Sequence, residues 1–238
     1  MNSKLKYIKG ILLAGLVFFL FSFAENRNSN RKILEVELAF TNAGNLYITE
    51  GAVNKLLIQN NVTPKSLGKE TLDLNKVESL LNSHEMIENA EVFLSLTGTL
   101  GAVITQRKPI ARVLGESMYY IDRQGLRMPL SDFHSARVPL VRGVRAEHFQ
   151  EIFPLLKYIA ESEFLSRQIV GIERSPEGLY ALETRGFDFV ILLGKVTDLE
   201  KKFNNFRAFY QQAMKDKKLD TYSKVNLRFG NQVVCTKE

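Results

Sequence analysis

Five side chains have types that could support catalysis or metal binding: His84, His134, His148, Asp122 and Cys235. The histidines have no serine or cysteine at a spacing typical of a nucleophilic site, and their spacings do not match those of zinc ligands. A single cysteine cannot form an intramolecular disulfide. The sequence also contains no phosphate-binding loop, dinucleotide fingerprint or nucleophile elbow. We therefore expect no catalytic residue, no cofactor and no bound metal.

Asp122 begins the segment Asp-Arg-Gln-Gly at residues 122–125, and two roles are open for it. An aspartate at the head of such a segment typically accepts hydrogen bonds from the backbone of its own turn. The alternative is a catalytic carboxylate, and we favour the turn. The three histidines leave the same choice between a catalytic role and a polar role in a loop or on the surface, and the missing nucleophile favours the latter.

The composition is that of a globular protein. Its 238 residues are 45% hydrophobic, which excludes disordered, collagen-like and polytopic membrane chains and fits one or two domains. The 32 basic residues exceed the 26 acidic ones, for a net charge of +6. This excess is spread too evenly along the chain to indicate a nucleic-acid groove. We expect neither nucleic acid nor a small-molecule substrate as a partner.

The amino terminus has the pattern of a membrane segment. An uncharged apolar run, Gly10–Ala24, follows three lysines. Its fifteen residues would reach about 22 Å, short of a hydrocarbon core of about 30 Å, so the span needs help from snorkelling lysines next to it. We predict a cytoplasmic tail at residues 1–9, a transmembrane helix at 10–24 and a polar linker at 25–32.

A cleaved secretion signal is the alternative to this membrane anchor, because Ser22-Phe23-Ala24 resembles a signal-peptidase site. In either case the lysines hold the amino end in the cytoplasm, and the rest of the chain crosses the cytoplasmic membrane. The predicted location is the inner membrane, with the later domains on the periplasmic or cell-wall side.

Residues 33–108 alternate between strand and helix patterns in the order β-α-α-β-β, which predicts a first domain with two amphipathic helices packed on a three-stranded sheet. Thr49 and Asp73 are the predicted N-caps of the two helices. Pro109 marks the predicted boundary, because proline cannot donate to a strand ladder. Residues 109–238 form the predicted second domain, of short strands and two amphipathic helices, and Tyr222–Val234 is its predicted last strand.

Several segments resemble the FtsQ/DivIB family of bacterial cell-division proteins, in which a POTRA domain and a β-domain follow one membrane helix. The similar segments run in family order: residues 86–92, 100–111, 120–125, 138–143, 190–194 and 225–229. Gln106 and Asn226 stand where the family usually has carboxylates. The resemblance implies an α+β fold: a single N-terminal transmembrane helix, a POTRA-like β-α-α-β-β domain, and a mixed α/β "β-domain" with an antiparallel sheet.

The same resemblance implies a non-catalytic scaffold at the septum that holds small division proteins of the FtsB/FtsL type. The expected route is strand addition, in which a partner segment completes the backbone edge of the last strand. The partner-binding residues expected for this route are Arg228, Phe229, Gly230, Asn231 and Val233, of which Arg228 matches the family's binding arginine. The arginine would pair with partner carboxylates, and its alternative is a solvated side chain on a structural strand.

A second function class remains open at this point. POTRA domains also occur in exported modules that bind polypeptides in outer-membrane assembly or secretion systems. That alternative predicts tandem POTRA repeats followed by a barrel of about ten-residue alternating strands, and the sequence has neither pattern.

Overall fold

A computed structural model describes residues 2–29, 35–41, 47–62, 73–95, 97–230 and 232–237. Helix α1, Asn2–Ser29, contains the span Ile8–Glu25, which has a mean hydropathy of 1.9 and no buried residue. Among the described residues it is the one helix long and apolar enough to cross a membrane. The helix continues through Glu25–Ser29, which the sequence predicts as linker.

Contacts divide the chain into two compact units, Met1–Gln106 and Arg107–Glu238. Beyond α1, the first unit has the predicted order β-α-α-β-β. Its elements are β1 (Glu35–Phe40), α2 (Glu50–Gln59), α3 (Leu74–Asn82), β2 (Ile87–Leu94) and β3 (Thr99–Gln106). β3 is the central strand and pairs with β1 in parallel and with β2 antiparallel.

The two helices of this unit begin where the sequence predicts. The side chain of Thr49 accepts from the backbone N–H of Ala52, and that of Asp73 accepts from Lys76. Each cap satisfies an N–H that has no partner within its helix. The buried core combines residues of both helices and the inner sheet face: Val53, Leu57, Val77, Leu81, Ile87, Ala90, Leu100, Ala102 and Ile104.

Gln106 is buried at the end of β3, where the family usually has a carboxylate. Its Oε1 accepts from the backbone N–H groups of Tyr47 at 2.7 Å and Ile48 at 3.2 Å. An amide oxygen accepts such bonds without a buried charge, so the substitution keeps the acceptor role.

The second unit is built on one nine-stranded sheet. Its strands are β4 (Pro109–Val113), β5 (Tyr119–Asp122), β6 (Arg127–Met128), β7 (Leu140–Arg142), β8 (Ile169–Arg174), β9 (Tyr180–Thr184), β10 (Val190–Gly194), β11 (Tyr222–Asn226) and β12 (Val234–Lys237). The order across the sheet is β12-β11-β10-β9-β8-β7-β4-β5-β6. The sheet is mixed: three of its strand pairs are parallel, β4 with β7, β7 with β8, and β10 with β11, and the others are antiparallel.

The described part of this unit also has three α-helices, α4 (Phe149–Glu161), α5 (Glu163–Gln168) and α6 (Leu199–Lys215), and two short 3₁₀ helices, Ala146–His148 and Leu219–Thr221. The predicted apolar stripes of α4 and α6 pack against the core, with Phe149, Phe153 and Leu199 partly buried, except for Ala160 at the end of the α4 stripe, which is exposed. α4 begins at Phe149, so Pro154 lies inside the helix. Because proline has no N–H, α4 lacks one intrahelical hydrogen bond there.

The predicted last strand, Tyr222–Val234, is wrong as a single element. The chain forms β11, which ends at Asn226, and returns antiparallel as β12, which begins at Val234. A strand of thirteen residues would exceed the usual length of about five or six. Gly230-Asn231 is a turn dipeptide in the middle of the predicted strand, and it is the signal for this reversal.

Candidate functional site

The nine-stranded sheet ends in two edge strands that differ in length. β6 has two residues, whereas β12 has four. β11 is paired on both sides, because Val225 faces Ile191 of β10 and Cys235 of β12. An edge strand presents unpaired backbone N–H and C=O groups on its outer side. β12 is therefore the longer strand edge of this sheet that an added segment could extend.

The proposed binding residues lie at the connection between β11 and β12. Leu227 is buried, and its N–H donates to the Leu192 carbonyl at 3.0 Å, so the chain stays bound to β10 for one residue beyond β11. Arg228 is exposed, and its backbone N–H donates to Oδ1 of Asn226 at 3.0 Å. Asn226 thus fixes the backbone of Arg228 while the guanidinium faces solvent.

Gly194 lies beneath the side chain of Arg228 at the end of β10. Its φ of +78° is in the left-handed region that favours glycine. A Cβ added there would lie 3.0 Å from Cγ of Arg228. The glycine therefore leaves the space in which the aliphatic part of the arginine packs.

The remaining predicted residues divide between exposed and packed positions. Phe229 is 48% exposed, and Gly230 is also exposed. Val233 packs partly buried against the hydrophobic core. Asn231 lies outside the described residues.

β12 itself has one side chain packed inward and others facing out. Cys235 packs partly buried against the core, and this burial raises the pKa of its thiol. The neighbouring Val234 is 41% exposed. The strand is therefore anchored through Cys235, while Val234 presents an apolar side chain to solvent.

One lysine lies next to this connection. The Nζ of Lys201 lies 3.7 Å from the point where a Cβ on Gly230 would stand. Lys201 and the exposed Arg228 therefore place two cationic side chains close to Gly230. The neighbouring Lys202 is used within the protein, because its Nζ donates to the Lys195 carbonyl at 2.7 Å, and burial lowers its pKa while the nearby Asp198 raises it.

Asp122 is buried and serves its own turn, which confirms the prediction. Its Oδ1 accepts from the backbone N–H of Gln124 at 2.9 Å and of Leu126 at 2.8 Å. Its Oδ2 accepts from the guanidinium of Arg107 at 2.6 Å. The sequence pattern did not indicate Arg107, because this residue lies between β3 and β4, fifteen positions before Asp122 in the sequence.

Two of the three histidines accept hydrogen bonds from nearby backbone groups. Nδ1 of His84 accepts from the backbone N–H of Met86, and burial lowers the pKa of this histidine against an opposing effect of Glu85. Nδ1 of His148 accepts from the backbone N–H of Arg145. Within the described ranges, no group of three or more histidine, cysteine, aspartate or glutamate residues is placed to hold a metal ion.

Comparison with known proteins identifies the family. The model of the family described as FtsQ/DivIB, C-terminal related, matches residues 108–236. The chain belongs to the FtsQ/DivIB family. The match covers more than half of the chain and includes all but the last residue of β12.

Two curated relatives of this family are proteins named Cell division protein FtsQ. The one from Rhodothermus marinus is 30% identical over 182 residues, covering 70% of this chain and 66% of the relative. The one from Salinibacter ruber is 28% identical over 156 residues, covering 58% of this chain and 60% of the relative. The chain thus spans slightly less than two thirds of the length of either relative. The predicted family and the predicted fold class are confirmed.

Proposed function

We propose that this FtsQ/DivIB family member is a non-catalytic, single-pass membrane scaffold of bacterial cell division. Its helix α1 anchors it with the amino end in the cytoplasm, and its two units act on the extracytoplasmic side at the septum. Its partners are small membrane proteins of the FtsB/FtsL type. The family match and the relatives named for cell division support the role. None of the described strands pairs with the outer side of β12, which supports the mechanism.

The mechanism is strand addition on β12. A partner segment that pairs with Val234–Lys237 gains main-chain hydrogen bonds along four residues. Val234 and Phe229 then lose exposed apolar surface, which adds favourable free energy of about 25 cal/mol per Å². Backbone pairing supplies affinity without reading the sequence, so specificity must come from side chains next to the edge.

Arg228 supplies that specificity in the proposed complex. Its backbone is held by Asn226 and its side chain packs over Gly194, so the guanidinium is positioned before the partner arrives. A carboxylate on the partner can take two parallel N–H···O bonds from it. An exposed charge of this kind mainly sets orientation and association rate.

Proline substitution tests the backbone edge directly. Successive residues of an antiparallel strand direct their N–H groups to opposite sides, so one of Cys235 and Thr236 donates toward β11 and the other outward. We expect one of Cys235→Pro and Thr236→Pro to remain folded and to lose about fivefold in capture of co-expressed FtsB/FtsL-type proteins, as the loss of about 1 kcal/mol requires. Capture that is unchanged in both variants, with the chain folded, would rule out strand addition.

Depletion in growing cells tests the biological role. Loss of a division scaffold should give filaments without septa. Loss of outer-membrane proteins without filamentation would instead support the polypeptide-binding POTRA module of an assembly system.

A further inference from the structure

A pocket of about 420 Å³ opens beside β4 in the second unit, away from the edge strand β12. Its walls come from the start of β4, the segment before β7, and helices α4 and α5. The lining residues that matter for its chemistry are Lys108, Ile110, Arg123, Arg137, Pro139, Lys157, Ile159, Ala160 and Glu161. β4 is six strand positions from β12, which corresponds to roughly 28 Å across the sheet.

Four basic side chains and one acidic side chain line this pocket. Lys108 and Arg123 are held side by side, because the Arg123 N–H donates to the Lys108 carbonyl at 3.2 Å. The Nζ of Lys157 lies 3.9 Å from Oε1 of Glu161, one helical turn away. Within the part of the chain that the structure describes, the side chains of Lys108 and Arg137 have no ion-pair partner. The pocket therefore carries positive charge that the protein does not neutralise.

Beneath this basic rim the pocket has an apolar floor. Ile110 is 7% exposed and Ile159 is 1% exposed, and Pro139 is also buried. The floor is thus recessed below the lysine and arginine side chains, all of which are exposed. A ligand that fills the pocket must offer an apolar group narrow enough to reach the floor and negative charges beside it.

We propose that this pocket binds an acidic segment of a partner polypeptide, with one apolar side chain on the floor and flanking carboxylates on Lys108, Arg137 and the neighbouring cations. The segment is distinct from the one proposed to extend β12. A second attachment point at this distance restricts the orientation of a bound partner, and two linked contacts bind more tightly than either alone.

A polypeptide fits this pocket better than an anionic membrane surface does. A flat layer of headgroups contacts the exposed cations but does not reach Ile110 and Ile159, because these side chains are recessed. Membrane-binding surfaces instead present large apolar side chains outward, whereas the one exposed apolar residue in the lining is Ala160, whose side chain is a single methyl group.

A larger cavity in the same unit is a weaker candidate for a binding site. It measures about 860 Å³ and is bordered by three arginines, two glutamates and a histidine. Arg127 there lies over the Tyr119 ring and donates to Ser117, and Arg174 is paired with Glu151. Two of the three arginines are thus engaged within the protein, so the smaller pocket is the stronger candidate.

Binding of a defined acidic peptide tests the proposal. The full-length chain in phosphatidylcholine nanodiscs is titrated against a fluorescein-labelled peptide, Glu-Glu-Leu-Glu-Glu-Leu-Glu-Glu, and anisotropy is measured. We expect binding that weakens as salt rises, and no binding of the peptide with glutamine in place of glutamate. Reversing two cations, Lys108→Glu with Arg137→Glu, should weaken binding about tenfold. The control Arg185→Glu with Lys215→Glu, which changes the net charge equally elsewhere on the surface, should not.

A second pair of variants tests the pocket volume. Ala160 is exposed in α4 at the pocket wall, and Ala160→Glu adds both bulk and negative charge there without burying either. It should also weaken peptide binding about tenfold, whereas Ala208→Glu on the exposed face of α6 should not. Binding that is insensitive to both pocket variants would overturn the proposal. It would also be overturned if the variants reduced binding to phosphatidylglycerol vesicles and left the peptide unaffected, which would assign an anionic lipid. None of these outcomes depends on β12, so the result is independent of the strand-addition experiment.

Discussion

The second unit has two turns in which an oxygen-bearing side chain fixes the backbone of a family motif, and they differ in what they leave exposed. At the first turn Asp122 is buried, binds two backbone N–H groups and pairs with Arg107. At the second, Asn226 binds the backbone of Arg228, whose side chain remains in solvent. Both turns carry motif residues, but their bonding differs.

This difference separates a structural role from a binding role. The polar capacity of Asp122 is used within the protein, so its loss must appear in stability. The guanidinium of Arg228 is positioned but unused, so its loss must appear in partner binding. A motif residue can therefore be assigned by asking where its hydrogen-bonding groups go.

The largest effect should come from Asp122→Ala. The substitution leaves two backbone N–H groups and the half-buried guanidinium of Arg107 without their acceptor, which should lower the free energy of unfolding by about 3–5 kcal/mol. Pulse proteolysis in urea, with the full chain in membranes, measures it. Asp122→Asn keeps an oxygen that can accept from the turn, so it should lower the free energy of unfolding by less. If both variants lowered the free energy of unfolding equally and only slightly, the turn would not depend on the carboxylate.

Arg228→Glu should give the opposite result. Because the side chain is exposed, stability should change by no more than about 0.5 kcal/mol. Capture of FtsB/FtsL-type partners should fall about tenfold, since the variant places like charges together. The matched variant Arg185→Glu, at another exposed turn, should bind normally. If both variants captured partners as the unmodified chain does, Arg228 would be a solvated arginine with no binding role.

Two glycines allow backbone strain to be separated from the position of Arg228. Gly194 and Gly186 have nearly the same positive φ, +78° and +80°, but only Gly194 has Arg228 above it. Alanine at either position should cost about 1 kcal/mol or more in stability. Only Gly194→Ala should also reduce capture, because its methyl group displaces the arginine. If Gly186→Ala reduced partner capture to the same extent, the loss would come from backbone strain and not from displacement of Arg228.

The smallest effect should come from an exposed ion pair. A guanidinium nitrogen of Arg142 lies 2.8 Å from Oε1 of Glu183, but both side chains are 43% exposed. Arg142→Ala should lower the free energy of unfolding by less than about 1 kcal/mol and leave capture unchanged. If Arg142→Ala lowered the free energy of unfolding as much as Asp122→Ala does, an exposed ion pair would matter as much as a buried one. Burial would then not explain why Asp122 has a structural role.

The parts of this fold that were predictable depend on neighbours in the sequence. The caps Thr49 and Asp73, and the turn at Asp122, each involve residues two to four apart, so their patterns are visible in the sequence. The apolar stripes of α4 and α6 follow from helical periodicity in the same way.

The parts that were missed depend on contacts between distant residues. The Arg107–Asp122 pair and the parallel pairing of β7 with β4 and β8 join segments whose proximity has no local signature. The split of the last strand did have a signal at Gly230, but the alternation of Val225, Leu227 and Phe229 continued past the end of β11. As a result the free edge of the sheet lies at Val234–Lys237, beyond most of the residues predicted to form it.

Hydrogen exchange on β12 tests the central claim most directly. The full-length chain in nanodiscs is compared with and without a co-purified complex of FtsB/FtsL-type proteins, and exchange is followed by mass spectrometry on peptides covering residues 232–237. Strand addition predicts that the outward N–H groups of Val234–Lys237 become protected in the complex, while exchange at the Asp122 turn does not change. Partner binding with no added protection of β12 would contradict the account.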